Sequence, residues 1–196
     1  MANRIITISR QFGSGGRTIG RQVAEKLGIA FYDRDIIKNI VKETGLKEKY
    51  VEHYGEFAPS SDHRFAYSFV DLEDEESSPL KRMWHARTKS IRKFAEETSC
   101  VIVGSCADYI LRDREDCLRV FLYADEATKE ERIREMYGEV QVKERNRVHD
   151  MDVRRGLNYQ YSTGQEWGKA QNYDLALNLG SLGIEKCVEL IVEAAR

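Results

Sequence analysis

The chain has 196 residues, a formal net charge of −2, and 41% hydrophobic against 33% charged side chains. That is the balance of one globular domain with long solvated helical faces, and at this length folding buries roughly 70% of the surface without help from disulfides or metal. The near-even 31 basic and 33 acidic side chains argue against a bulk nucleic-acid or anionic-membrane binder, whose surface is net basic. The apolar runs, such as Val101-Ile102-Val103, are far too short to span a bilayer. The opening Met1 to Ile8 lacks the apolar region of a signal peptide. Cys100, Cys106, Cys117 and Cys187 form no C-x-x-C pair, which fits reduced, mostly buried thiols in a cytoplasmic protein. His53, His63, His85 and His149 show no ligand spacing, so a zinc site is not expected.

Ile5-Ile6-Thr7-Ile8-Ser9 opens the chain as a β-branched run suited to a buried strand. A glycine-rich turn follows, then a helix over Thr18–Leu27 with Ile19, Val23 and Leu27 on one face, ended by Gly28. Ile29-Ala30-Phe31-Tyr32 reads as the next strand. Strand, loop, helix and strand in about 30 residues make a βαβ unit and imply a parallel sheet. Asp35–Thr44 reads as helix with Ile36, Ile37, Ile40 and Val41 inward, stopped by Gly45. From Lys47 to Pro79 the pattern degrades. Both prolines, Pro59 and Pro79, and the acidic run Asp71–Ser78 fall here, so the stretch reads as a mobile excursion, with Phe65–Val70 apolar enough to pack somewhere. Regularity returns with a helix over Leu80–Glu97, strands at Cys100–Val103 and Leu118–Tyr123, and a helix over Glu126–Met136. Val140–Tyr161 is polar, arginine-rich and helical in pattern, Leu175–Leu179 is a fifth strand, and Ile184–Ala195 is a closing helix. Five short apolar strands separated by helices predict a doubly wound α/β sheet in one domain.

The segment that carries chemistry is Gln11-Phe12-Gly13-Ser14-Gly15-Gly16-Arg17-Thr18. It follows the first strand and opens the first helix, the context that a phosphate-binding loop requires. Glycines let backbone N–H groups turn inward, and the helix N-terminus adds partial positive charge. Against G-x-x-x-x-G-K-[ST], Gly16 and Thr18 match, Gln11 stands for the first glycine and Arg17 for the lysine. Arginine keeps the charge but spreads it over a planar fork. Gly13, Ser14, Gly15, Gly16, Arg17 and Thr18 are therefore the candidate phosphate-binding residues, and the Thr18 hydroxyl is the candidate Mg²⁺ ligand.

Ile6 to Arg17, with Leu27-Gly28-Ile29-Ala30-Phe31-Tyr32-Asp33, resembles the cytidylate kinase-like family of P-loop proteins. Val101 to Gly104 with Cys106 to Leu111 is similar to that family's middle motif, and Tyr161 to Gly164 with Trp167, Asn172 to Leu175 and Asn178 to its closing segment. The resemblance runs from the first strand to the last helix and leaves only about residues 45–80 unsupported. It implies a P-loop NTPase-type three-layer fold with a five-stranded parallel sheet, a helical substrate-binding excursion over about 36–98 and a lid over about 140–165. It also implies ATP and Mg²⁺ as cofactors. The implied activity is phosphoryl transfer to a small acceptor, a pyrimidine nucleoside monophosphate such as CMP or dCMP, with no nucleic-acid or membrane partner. The arginine of the P-loop is the family's own pattern. One departure stands out: the family usually has an arginine after the glycine of the middle motif, which in related cytidylate kinases meets the substrate phosphate, and this chain has Ser105.

Phosphoryl transfer needs positioning and positive charge more than covalent help. Lys143 to Arg147, followed by Asp152-Val153-Arg154-Arg155, supplies such charge, and the family's lid carries an Asp-x-x-Arg pattern that looks like Asp152 to Arg155. Arg155 is the leading catalytic candidate, with Arg17, Arg147 and Arg154 beside it; a solvated helix laced with i,i+4 pairs is the plain reading for the remaining charges. Asp33, Arg34 and Asp35 follow the second strand, at the strand ends where α/β sheets gather ligands. Asp33 and Arg34 are substrate candidates, and Asp35 reads as a helix cap. Asp108 is either a substrate or Mg²⁺-side group or a cap. Tyr159, Tyr161 and Trp167 read as packing for the lid hinge. Two alternatives stay open beside the kinase: a nucleotide-binding regulator without turnover, favoured by Ser105, and a kinase with a non-nucleotide acceptor.

Overall fold

In the computed structural model, residues 4–56, 78–137 and 144–196 are described. Five strands, β1 (Ile5–Arg10), β2 (Ala30–Tyr32), β3 (Cys100–Val103), β4 (Cys117–Tyr123) and β5 (Leu175–Asn178), pair in the order β2-β3-β1-β4-β5. Every pairing is parallel, with Ile6 opposite Val101 and Ile8 opposite both Val103 and Val120. Because β1 is central and covered on both faces, its residues Ile5 to Ser9 are all buried, with Thr7 and Ser9 the polar members of an otherwise apolar run.

The helices are α1 (Gly16–Leu27), α2 (Arg34–Thr44), α3 (Glu48–Glu56), α4 (Pro79–Glu97), α5 (Ala107–Ile110), α6 (Glu126–Tyr137), α7 (Glu144–Thr163) and α8 (Leu179–Ala194). On one face of the sheet Ile6, Ile8, Val101 and Val103 pack on Ile19 and Val23 of α1 and on Val188 and Ile191 of α8. On the other, Ile5, Cys100 and Ile102 pack on Ile36 and Ile40 of α2, Val51 of α3, and Met83, Ile91 and Phe94 of α4. Helix, sheet and helix are the three layers expected. The chain leaves β1 toward the first face and β3 toward the second, so a crevice opens between their carboxyl ends, where ligands bind in sheets of this kind.

Most elements fall where the pattern placed them, with Gly28 and Gly45 closing α1 and α2 in the left-handed conformation. α8 already begins at Leu179, but Gly183 (φ 73°, ψ 168°) breaks it, so its regular part does start near Ile184. One expectation is corrected: the excursion read as mobile from Lys47 contains a regular helix, α3, whose Val51 is fully buried in the second core. α3 shows few apolar positions because only one narrow face is covered. The apolar Phe65–Val70 and the acidic run up to Ser77 lie outside the described residues, while Ser78 just before α4 is buried. All four cysteines are free and buried, and burial pushes the thiols of Cys100 and Cys117 up to about 12. Among the described residues no helix is long and apolar enough to cross a membrane.

Candidate active site

The glycine-rich turn leaves β1 and enters α1 without a break. Gly13 (φ 80°) and Gly15 (φ 74°) hold left-handed conformations that side chains resist. At Gly16 the limit is space, because a Cβ there would lie 2.5 Å from Cγ and 2.8 Å from Cβ of Arg10. Ser14 is fully buried: its hydroxyl donates toward the carbonyls of Gln11 (2.9 Å) and Leu122 (3.1 Å), and its N–H donates to Gln11 O at 3.3 Å. Ser14 therefore braces the loop from within. The face open to a phosphate is made by the glycines and by the first amides of α1, which have no partner within the helix. Gln11, in place of the motif's first glycine, accepts through Oε1 from Ala124 N–H at 3.3 Å, tying the loop to the end of β4. Thr18 is half-buried in the first turn of α1.

Two elements grip this loop from outside. In α7, Asp152 Oδ1 accepts the N–H of Phe12 at 2.6 Å, and Oδ2 meets Lys129 Nζ of α6 at 3.1 Å. Both side chains of that pair are nearly buried, with 8% and 12% exposed. One turn along α7, the Arg155 guanidinium donates from Nη1 to Arg10 O at 3.3 Å and lies 5.7 Å from the Phe12 ring centroid. On α6, Lys129 and Ile133 pack on Gly13, and Arg132 Nη2 stands 3.3 Å from where a Gly15 Cβ would be. Arg132 Nε is buried with no hydrogen-bond partner among the described residues. The expected Asp-x-x-Arg pattern thus docks both of its ends on the phosphate loop.

Arg17 turns away from the loop's axis. Its Nε meets Asp33 Oδ2 at 2.5 Å, with the Arg17 side chain 51% exposed, so two residues assigned to separate roles stand as one ion pair. Asp33, and not Asp35, occupies the N-cap position of α2, and makes no side-chain cap. Asp35 lies inside the first turn, 3.7 Å from Lys38. This corrects the capping role expected of Asp35. Arg34 is exposed at the start of α2.

The crevice past β1 and β3 has two lobes. One is lined by Ser9, Arg10, Ser105, Arg155, Asn158 and Trp167 among others, and the second by Arg10, Asp33, Ile37, Ile40, Gly55 and Ser105 among others. Beyond β3, Gly104, Ser105 and Cys106 all take positive φ (76°, 58° and 55°). Two of these are not glycine, and each such conformation costs about 1 kcal/mol or more. The turn is held by Gly104 N–H donating to Ile8 O and by Ala107 N–H donating to Gly104 O, at 2.9 and 3.1 Å.

Asp108 sits beneath this floor, not on it. It is 3% exposed in the first turn of α5 and accepts the Tyr159 hydroxyl at 2.7 Å. Burial pushes its carboxyl above the usual carboxylate range, partly offset by that hydrogen bond, and burial likewise raises the Tyr159 hydroxyl. The pair ties α7 to the core. Trp167 belongs to the same support, donating to Ser9 Oγ at 2.9 Å and packing edge-on against Phe121. Tyr161 does not, being 45% exposed. Arg154 pairs with Asp150 of its own helix at 3.9 Å. Arg147 is in the first turn of α7, and its side chain lies outside the described residues.

Three residues near the site escaped the sequence reading. Lys129 and Arg132, at i and i+3, share the α6 face with Ile133 that meets the loop, and that spacing was the available signal. Arg87 of α4 is 3% exposed, donates from Nη2 to Gly55 O behind both lobes, and leaves Nε buried with no hydrogen-bond partner among the described residues. Nothing in the sequence marks it.

The model of the cytidylate kinase-like family matches residues 5–181. The chain belongs to this family. A cytidylate kinase from Archaeoglobus fulgidus is 25% identical over 193 residues, covering 96% of this chain and 93% of its own. Among solved structures, an uncharacterized protein from Eubacterium ventriosum has a TM-score of 0.74 at 24% identity and 98% coverage of both chains. The shikimate kinase from Acinetobacter baumannii has a TM-score of 0.55 at 16% identity, covering 98% of this chain and 92% of that one. These likenesses establish the fold, and membership of a kinase-like family supports a phosphotransferase.

Proposed function

We propose that this protein transfers the γ-phosphoryl group of ATP, with Mg²⁺, to the phosphate of a pyrimidine nucleoside monophosphate such as CMP or dCMP. The observation that carries the reading is the join between two sites. The stem of Arg10 lies against Gly16 of the phosphate loop, and the same residue lines both lobes of the crevice. A donor on the loop and an acceptor in the crevice are therefore neighbours, as in-line transfer requires.

The residues fit the cofactors by their donor chemistry. The glycine cradle and the α1 amides suit phosphate oxygens, with Arg132 beside Gly15, and Thr18 offers a hydroxyl oxygen of the kind Mg²⁺ takes together with phosphate oxygens and water. When bound, the metal supplies charge neutralisation between the β- and γ-phosphates. The chain's own groups do the rest: α7 closes the loop through Asp152, and Arg155 brings a fixed cation to the end of β1.

The acid–base inventory favours a phosphate acceptor over an alcohol. An alcohol must lose a proton as it attacks, so it calls for a general base; an acceptor phosphate is already ionised. The single acid among the described lining residues is Asp33, and it is held by Arg17. A second reading, a nucleotide-binding regulator or a kinase of another acceptor, draws on Ser105, which puts a hydroxyl where the family usually places a cation.

The test is an ATP-consumption assay across nucleoside monophosphates and non-nucleotide acceptors, repeated with Arg155→Ala on every acceptor that works. The expected result is turnover with CMP or dCMP and a kcat lowered on the order of a hundredfold in the variant, with ATP affinity little changed. Tight ATP binding with no turnover on any acceptor refutes the kinase in favour of the regulator. Undiminished turnover in Arg155→Ala removes that residue from the mechanism.

A further inference from the structure

Arg155 sits between two anchors of its own helix. Asp152, one turn before it, accepts Phe12 N–H at 2.6 Å, and Tyr159, one turn after it, donates its hydroxyl to Asp108 Oδ2 at 2.7 Å. At those spacings the three side chains share one face of α7. The two anchors reach different parts of the site. Asp152 holds the glycine-rich loop. Asp108 belongs to α5, directly after the turn Gly104-Ser105-Cys106 that lines the first lobe together with Arg155, Asn158 and Tyr159.

Apolar packing does little to set α7. Val148, Arg155, Asn158 and Tyr159 are its buried side chains among the described residues, while Val153, Leu157 and Tyr161 are exposed. Apolar contact is non-directional, so Val148 and the ring of Tyr159 leave the rotation of a 20-residue helix loosely fixed. A hydrogen bond is directional. Asp108 is 3% exposed, and an apolar pair could fill the same space without burying a carboxyl. What the polar pair adds is a fixed distance and angle between α5 and α7. The turn before Asp108 has need of such a tie, since Ser105 and Cys106 hold φ of 58° and 55°, conformations that persist only when the surroundings impose them. Tyr173 backs the pair, standing against both Tyr159 and Ser9, and Trp167 donates to Ser9 Oγ.

We propose that Asp108 and Tyr159 are positioning residues: their hydrogen bond sets the rotation of α7 and so aims the Arg155 guanidinium at the transferred phosphoryl group, the Tyr159 hydroxyl being committed to Asp108 and not to substrate. The inference rests on the kinase reading above for what Arg155 meets, whereas the placing of Arg155 is measured without turnover.

Two measurements on the full chain test it. The first is steady-state kinetics with ATP, Mg²⁺ and CMP, beside the Tm of each variant. Tyr159→Phe removes one oxygen; well below its Tm it should lower kcat roughly tenfold or more, with KM for ATP within about threefold of wild type. Asp108→Asn keeps an acceptor for the hydroxyl and should hold kcat within about threefold. Asp108→Leu should fall as far as Tyr159→Phe, and the two changes combined should fall no further than either. The second measurement is nuclear magnetic resonance of isotope-labelled arginine, with the Arg155 Nε–H signal assigned by its loss in Arg155→Lys. Arg155 Nε is buried, so its proton should exchange slowly with water in wild type and in Asp108→Asn, and roughly tenfold faster or more in Tyr159→Phe. Should Asp108→Leu fail to fold, Tyr159→Phe and Asp108→Asn carry the test.

The inference is overturned if Tyr159→Phe turns over as wild type does, or if Asp108→Asn falls as far as Asp108→Leu, which would assign the effect to charge and not to the hydrogen bond. A kcat that falls only in proportion to the protein unfolded at the assay temperature also overturns it, because the pair would then be structural alone. Its failure is separable from that of the proposed function. Turnover on CMP undiminished in Tyr159→Phe sinks the inference and keeps the kinase. No turnover on any acceptor, with Nε–H exchange quickened in Tyr159→Phe and held in Asp108→Asn, sinks the kinase and keeps the placing of Arg155. No turnover with unchanged exchange refutes both.

Discussion

Removing the carboxylate of Asp152 isolates what holds α7 to the glycine-rich loop. In the native chain its two oxygens meet Phe12 N–H at 2.6 Å and Lys129 Nζ at 3.1 Å, in a place where the two side chains are 12% and 8% exposed. Asp152→Ala leaves an ammonium buried without its partner and a loop amide without its acceptor. Breaking a buried pair from one side costs about 3–5 kcal/mol, and the slight exposure here points to the lower end, about 3 kcal/mol. For a domain of this size that is a fall in Tm of roughly 6–12 °C. Asp152→Asn keeps an acceptor for Phe12 but sets a neutral amide against Lys129, so it should fall in between. Asp152→Leu with Lys129→Met removes both charges and should recover most of the loss, because apolar replacements of a buried pair are often neutral. Thermal and urea unfolding of wild type and the three variants measures the ranking directly. A fall of less than about 3 °C for Asp152→Ala would mean that water already screens the pair, and the argument for a buried clamp would be refuted.

Three other expectations follow from the same geometry. Arg17→Ala should weaken ATP binding by about 1–3 kcal/mol, the scale of a charge-assisted contact, while costing the apo fold under about 1 kcal/mol because its pair with Asp33 is half exposed; unchanged ATP affinity by calorimetry excludes Arg17 from phosphate binding. Gly16→Ala drives a Cβ to 2.5 Å from the Arg10 stem and should destabilise by about 1–3 kcal/mol with loss of ATP binding, as read by thermal shift with and without nucleotide. Acid should act on two aspartates in opposite senses. Arg119 holds Asp174 below its usual range, so that pair stabilises above about pH 4 and its contribution fades as pH falls through the lowered folded value; Asp174→Asn should cost under about 1 kcal/mol at neutral pH and progressively less as pH falls through that value. Burial raises Asp108, so its full stability is present below the unfolded value and is lost as pH rises through the folded one. Asp108→Asn, which keeps an acceptor for Tyr159, should be as stable as wild type or more so at neutral pH, and a marked loss there would refute the burial argument.

The parts of this chain that were legible in its sequence are those that local physics decides alone. Ile5 to Ile8 and Cys100 to Val103 read as strands because a strand covered on both faces carries a short, near-continuous run of β-branched and apolar residues, and both lie in the interior of the sheet. The phosphate loop was legible because its backbone needs glycine at specific points, and Gly13, Gly15 and Gly16 meet those needs by conformation or by space. Where a residue's role depends on what the fold brings against it, the sequence was silent. α3 was lost because a short helix with one buried valine has no visible period. Asp33 was placed correctly just past β2, but its engagement with Arg17 is a contact between the first turn of α1 and the N-cap of α2 that no spacing predicts. Asp108, read either as a substrate- or Mg²⁺-side group or as a helix cap, is buried and accepts the hydroxyl of Tyr159, 51 residues along the chain.

The same distinction explains how a phosphate loop with two departures from the common pattern keeps its shape. Gln11 replaces a glycine at the loop's entry, and Arg17 replaces the lysine at its exit. A glycine at entry would contribute only conformational freedom; the glutamine contributes a bond to Ala124 N–H, so the loop is anchored to β4 at both Gln11 and Ser14. With the entry fixed to the sheet, the remaining amide at Phe12 is held by Asp152 and the preceding carbonyl at Arg10 by Arg155, both from α7. Each of those grips comes from an element that lies about 140 residues away along the chain. A loop shaped in this way is not a self-contained motif. Its geometry depends on where α7 sits, so a movement of α7 that frees Asp152 and Arg155 changes the loop and the crevice in the same step. On the function proposed above, coupling of that kind would make loop closure and assembly of the acceptor site a single event and keep water from reaching the γ-phosphoryl group before the acceptor does.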